Sequence, residues 1–205
     1  MSVSKIKLTN AMADRTILSG FSLNDIEEMV SENPSLRGYL QGYLAEKVLR
    51  KKLEELPGVT SVTKIPDSAS EKGDFKVIYK GTPITIEVKS LATNSVKEDI
   101  LTQTWQGTVR IKNTDKREIE VDGIGTVSSS KLFKGQFDIL AVCCFAVSGQ
   151  WDFVFMENKY IPEDSEMPGL LKTSFVINPA TTACLTEDLL KVLESTYSSK
   201  PSVTN

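Results

Sequence analysis

Phe137 to Val147, FDILAVCCFAV, is an almost unbroken apolar run. A strand of that kind is buried on both faces, so its sheet must be covered on both sides. The Ser148-Gly149 turn signal leads on to WDFVFMENKYI, and 137–161 is predicted to be a hairpin. Other strand-like stretches lie at 59–65, 74–80, 83–91, 105–113 and 117–121, with Asp122-Gly123 as a turn, and more weakly at 173–178. Ser22 to Glu32 has the pattern of a short helix, with Ser22 and Asp25 spaced as a capping box, and Asn33-Pro34 breaks it. A second helix over 35–56 carries Leu40, Tyr43, Leu44, Val48 and Leu49 at helical spacing, and Pro57-Gly58 ends it. Residues 92–104 are polar, a connection or a short helix, and a last helix is expected near 186–196. With 205 residues, 40% of them hydrophobic, the chain can bury one sizeable core. There is no repeat and no long linker. The expectation is a single α/β domain over 1–196 and a disordered tail over 197–205.

An absence narrows the chemistry. The chain contains no histidine. That removes Ser-His-Asp and Cys-His catalysis, histidine-ligated zinc, and any nuclease mechanism with a histidine base. No GxxxxGK[ST] phosphate loop is present either. Acid–base or metal chemistry must run on carboxylates and lysine. Three cysteines, two of them adjacent at Cys143 and Cys144 within the apolar run, read as buried reduced thiols of a cytoplasmic protein. No apolar stretch approaches the ~20 residues of a membrane span, and MSVSKIKLTN lacks a signal peptide's hydrophobic run. The net charge of −3 means that any nucleic-acid partner must be held by a local patch.

The carboxylates and lysine that could carry such chemistry lie in EKGDFKVIYKGTPITIEVKS, residues 71–90. In TPITIEVKS the period is two, so Ile84, Ile86 and Val88 point one way and Thr85, Glu87 and Lys89 the other. A turn near Lys80-Gly81-Thr82 folds Asp74 opposite Val88 or Lys89, beside Glu87. Two carboxylates that close repel each other unless a cation or a proton lies between them. A hard divalent ion with oxygen ligands, Mg²⁺ above all, suits such a site, with the Val88 carbonyl as a further ligand. Lys89 would orient or deprotonate a water, or offset charge developing on a phosphate. The bland alternative is a solvated hairpin with a surface salt bridge. A second E-x-K, Glu157-Asn158-Lys159, ends a strand, and its nearest preceding acid, Asp152, lies on the same strand with no turn between them.

At these residues the chain resembles the PD-(D/E)XK nuclease superfamily. The motif, an acid opening one strand and (D/E)-x-K on the next, is matched by Asp74 in KGDFKV and by Glu87-Val88-Lys89 in ITIEVKS. Glu46, in GYLAEKVLRKKL, stands where many members carry a helix glutamate. Gly73 takes the place of the proline before the first acid. The resemblance covers roughly 35–161. It implies a restriction-endonuclease-like three-layer core, a mixed central sheet flanked by helices. It also implies a Mg²⁺-dependent DNA endonuclease, with Mn²⁺ as substitute. Asp74 and Glu87 would then hold the metal, Lys89 would assist the attacking water, and Glu46 would support the site.

For DNA, WQGTVRIKNTDKR (105–117) offers Arg110, Lys112, Lys116 and Arg117 against one acid, Asp115; the alternative is a solvated hairpin. Trp105 reads more readily as core or rim than as a base wedge. KVLRKK (47–52) reads as helix exterior, and Arg37 as a weak phosphate contact. The expectation is a type II restriction-type enzyme, a homodimer because one site per chain must cut two strands. The alternatives are a repair, junction or mobile-element nuclease of the same fold, a noncatalytic DNA-binding module, or an interaction domain whose charges form a surface network.

Overall fold

The computed structural model describes residues 20–66, 73–112, 117–121 and 125–200. The chain divides into two compact units, Met1–Tyr39 and Leu40–Asn205. The first contains helix α1 (Leu23–Glu32), opened by a complete capping box between Ser22 and Asp25. Helix α2 (Pro34–Glu54) begins on the proline, which suits a first helical turn where no amide donor is needed.

In the second unit, strands β1 (Val59–Lys64), β2 (Phe75–Tyr79), β3 (Thr82–Ser90), β8 (Ile139–Cys143) and β9 (Phe153–Glu157) form a mixed sheet in the order β1-β2-β3-β8-β9. Only β3 and β8 run parallel; the other pairs are antiparallel. Every residue of β8 and of β9 is buried, as a doubly covered pair requires. Alternation splits them between two cores. Ile139, Ala141 and Phe155 pack with Ala45, Leu49 and Leu53 of α2 and with Val192 and Leu193 of α4 (Leu189–Ser199). Leu140, Val142, Val154 and Met156 pack instead with Val109 and Ile177. These two belong to a second sheet, β10-β5-β4, built from β4 (Val96–Asp99), β5 (Thr104–Arg110) and β10 (Ser174–Ile177). The fold is mixed α/β, with helices on one face of the central sheet and a three-stranded sheet on the other, where helices were expected on both.

Several expectations change. The β2–β3 turn has only two residues, Lys80 and Gly81, both left-handed at φ 48° and 81°. The register therefore pairs Phe75 with Ile86, one residue off the expected pairing, and Asp74 lies just before β2, its amide bonded to the Ile86 carbonyl and its side chain to the Val88 amide. The apolar run after β8 bends at Cys144 into α3 (Phe145–Ser148), closed by left-handed Gly149. The buried stripe of α2 is Ala45, Leu49 and Leu53, while Leu40, Tyr43 and Leu44 are exposed. The polar 92–104 segment contains β4, and β6 (Arg117–Val121) pairs with a strand not foreseen, β7 (Gly125–Ser129). The Asp122-Gly123 turn and residues 201–205 lie outside the described residues. Helix α4 runs to Ser199, into the stretch expected as tail. Tyr197 sets its ring edge-on to Tyr79 at 6.0 Å, and the Lys200 ammonium donates to the Pro83 carbonyl and Asp138. Among the described residues no helix is long and apolar enough to cross a membrane.

Candidate active site

The site is built where β2 begins and β3 passes it. Gly73, at φ +112°, brings Asp74 in so closely that a Cβ on the glycine would stand 3.2 Å from the Ile86 carbonyl oxygen. A proline, locked near −65°, has no access to that conformation. The Asp74 amide donates to the Ile86 carbonyl at 2.7 Å, and its own carbonyl accepts from Ile65 at 2.9 Å. The side chain then takes over from the ladder: Oδ2 accepts the Val88 amide at 2.7 Å. Asp74 is thus fixed by three hydrogen bonds with its other oxygen left outward. That oxygen, Oδ1, lies 3.5 Å from the Lys64 ammonium nitrogen.

Glu87 and Lys89 share the face of β3 opposite Ile86 and Val88. Glu87 is buried, and its Oε1 lies 2.5 Å from Lys89 Nζ. Burial pushes the Glu87 carboxyl above its ordinary value, and nearby Asp74 adds to the push, while Lys89 and Lys64 pull back without reversing it. Burial works against the Lys89 charge too, but Glu87, Asp74 and Glu46 outweigh it and hold the ammonium above its ordinary range. Glu46 reaches in from α2 and pairs with Lys64, the last residue of β1. The Lys64 ammonium also lies 5.6 Å from the centre of the Phe75 ring, its cross-strand neighbour.

The four predicted catalytic residues therefore meet. Lys64 joins them, and sequence reasoning missed it. Its signal was faint: a lysine ending the strand that pairs with the Asp74 strand. Three acids, Glu46, Asp74 and Glu87, face two lysines, Lys64 and Lys89, leaving a local excess of negative charge among the described residues. No cluster of three acid, histidine or cysteine side chains stands ready to hold a metal among the described residues. Oxygen donors are Asp74, Glu87 and the Val88 carbonyl.

Arg110 is exposed at the end of β5, and Lys112 is exposed two residues on, while Val109 and Ile111 are buried. Arg117 opens β6, but its side chain and all of Lys116 lie outside the described residues. Trp105 packs against the second core. Arg37, in the first unit, donates to the Ser31 carbonyl at 3.5 Å.

No protein-family model and no curated protein matches the chain. Among solved structures it is similar to a bacterial homing endonuclease, I-Ssp6803I, at 12% identity and a TM-score of 0.45, over 80% of this chain and 98% of that one. A likeness that loose leaves the function to be read from the side chains.

Proposed function

We propose that the chain is a Mg²⁺-dependent nuclease hydrolysing phosphodiester bonds in DNA, with the restriction-endonuclease-like core and site of the PD-(D/E)XK superfamily. The observation that carries this reading is the convergence of Asp74, whose Oδ2 accepts the Val88 amide, with the Glu87–Lys89 pair that flanks Val88 on β3. Burial makes the charge on Glu87 costly, and Asp74 beside it adds to that cost.

The donor set fits the metal. Mg²⁺ binds through one or two carboxylates and keeps several waters, so Asp74, Glu87 and the Val88 carbonyl suffice without a third acid. Mn²⁺ accepts the same oxygens. Such an ion, when bound, polarises the phosphoryl oxygen and offsets its developing charge. Asp74 enters preset by the Val88 amide and needs little reorganisation. Because its neighbours keep Lys89 protonated, it acts as a cation that donates to a water or a phosphate oxygen, and not as the base. Glu46 acts at one remove, through Lys64.

A restriction-type enzyme cutting both strands as a homodimer is the form we favour, since each chain supplies one site. A repair, junction or mobile-element nuclease would use the same residues on a different substrate. A noncatalytic module would have no need to keep Asp74, Glu87 and Lys89 together.

The test is incubation of the protein with mixed plasmid and phage DNA in Mg²⁺, wild type beside Asp74→Ala. The wild type should produce cleavage, and the variant should lose it by ~10³-fold or more while melting cooperatively. Cleavage by Asp74→Ala at the wild-type rate would place the chemistry elsewhere.

A further inference from the structure

Lys64 belongs to none of the roles above, yet it has the most connected position in the site. It is the terminal residue of β1, placed by the β1–β2 register directly across from Phe75, whose ring it overlies. Its ammonium group contacts Glu46 on one side and Asp74 Oδ1 on the other. The other Asp74 oxygen is taken by the Val88 amide. A cation ligated by Asp74 must therefore share or replace the Lys64 contact. The Lys64 side chain is 35% exposed, against 26% for Lys89, so it is the less enclosed of the two ammonium groups.

We infer that Lys64 is the resident counter-ion of the metal-free site: its ammonium holds Glu46 and Asp74 together, competes with the divalent cation for Asp74, and turns to a phosphate oxygen of the DNA once Asp74 is ligated. This rests on the reading of the site as a metal-dependent nuclease centre. The physical reason is charge balance. Lys64 places a positive charge between the Glu46 and Asp74 carboxylates, and removing it makes the charge on Asp74 less favourable until a proton or a cation arrives. A bound divalent cation removes the need for that neutralisation and frees one positive charge, which a long flexible lysine can carry to the phosphate that arrives with the substrate.

The experiment is direct titration of Mn²⁺ into DNA-free protein, followed by the spectroscopic signal of the free ion. It compares wild type, Lys64→Met, Lys64→Arg and Asp74→Asn, with melting curves in parallel. Two cations competing for one carboxylate are coupled sites, so Lys64→Met should bind Mn²⁺ about tenfold more tightly. Lys64→Arg should stay near wild type. Lys64→Met should also melt lower without metal and gain more on adding it. With saturating Mg²⁺ it should cleave DNA more slowly, having lost the phosphate contact. If Lys64→Met does not fold without metal, its recovery by millimolar Mg²⁺ is read instead, and absence of recovery overturns the inference. Unchanged or weaker Mn²⁺ binding in Lys64→Met, with binding lost in Asp74→Asn, overturns the role of Lys64 and leaves the nuclease site intact. Unchanged binding in Asp74→Asn overturns both.

Discussion

Glu87-Val88-Lys89 and Glu157-Asn158-Lys159 are one pattern on two strands of the same sheet. In both the glutamate is buried, and in both the lysine closes back on it, at 2.5 Å and 2.7 Å. Neither burial nor the ion pair separates them. What separates them is the company each keeps. Near Glu87 lies Asp74, whose charge acts on it, with Lys64 between Asp74 and Glu46. Glu157 instead accepts the Ser195 hydroxyl of α4 on Oε1 at 2.8 Å, so one oxygen docks the helix while the other holds Lys159. Lys159 lies beyond the strand, in a short 3-10 turn, 46% exposed and 5.0 Å from the Tyr160 ring centre. The fold also brings an acid to this second segment that the sequence did not show. Asp138, just before β8, is next to Asn158, but its carboxylate binds the Thr85 amide and hydroxyl and Lys200. A tripeptide with an ion pair is common; a second acid beside the first, with one oxygen on the Val88 amide and the other beside a lysine, is not.

The largest effect should come from treating the two segments alike. Lys89→Ala removes a charged donor at the water or phosphate and should lower cleavage by ~10²–10⁴-fold. Lys159→Ala should leave it within about threefold, since an exposed ion pair contributes ~1 kcal/mol or less to stability. Glu157→Gln keeps the contact with Ser195 and should also leave cleavage nearly unchanged. Single-turnover rates on one plasmid, at equal protein and Mg²⁺, decide the matter. A large loss in Lys159→Ala with none in Lys89→Ala would mean that the two segments have been assigned the wrong way round.

Parts of this contrast were legible in the chain and parts were not. Period-two alternation in TPITIEVKS put Glu87 and Lys89 on one face, and the apolar 137–147 run identified an inner strand buried on both faces. The register slipped by one because it depends on turn type, and Lys80 in the left-handed region is unusual for a lysine. The error was harmless: Asp74, just outside the ladder, still reaches the Val88 amide between Glu87 and Lys89. Lys64 and Asp138 were invisible for a shared reason. Each acts across a strand pairing distant in sequence, and neither lies within a recognisable local pattern. Strands β4 and β7 are short and half-exposed, so they carry too little alternation to be seen. On α2, Leu40 and Leu44 fit the apolar period as well as Leu49 does, and only the sheet beneath decides which is covered.

A smaller effect tests binding apart from chemistry. Arg110 is exposed at the end of β5 and Lys112 just beyond it, and neither is among the metal-binding candidates, so their loss should weaken DNA binding without touching the metal site. In a Ca²⁺-held complex, Arg110→Ala with Lys112→Ala should flatten the log–log salt dependence by about two units if both contact phosphates. A loss confined to one preferred sequence, by ~1–3 kcal/mol, would show that one of them reads a base edge. Mn²⁺ binding should be unchanged in the double variant. Unchanged affinity and slope would mark the pair as solvated surface and turn attention to 47–52.

The smallest effect is on stability, and it probes what the site costs the fold. Glu87 is raised from an ordinary value of 4.5, chiefly by burial, and the charged groups that influence it are Lys89, Asp74 and Lys64. Below pH 4.5 both folded and unfolded chains keep this proton, and the position costs nothing. As the pH rises from 4.5 to the native value, the unfolded chain releases the proton while the folded chain holds it, so stability falls; above the native value the full penalty is present. Glu87→Gln removes this titration. The melting temperature of wild type minus that of Glu87→Gln, in metal-free buffer, should therefore slope downward through that window and level off on both sides. At this chain length a shift of about 2–4 °C corresponds to each kcal/mol. Adding Mg²⁺ should displace the slope to lower pH, because a cation beside Glu87 favours its ionised form. A pH-independent difference, insensitive to Mg²⁺, would mean that burial does not disturb the Glu87 carboxyl, and the contrast between the two segments would collapse.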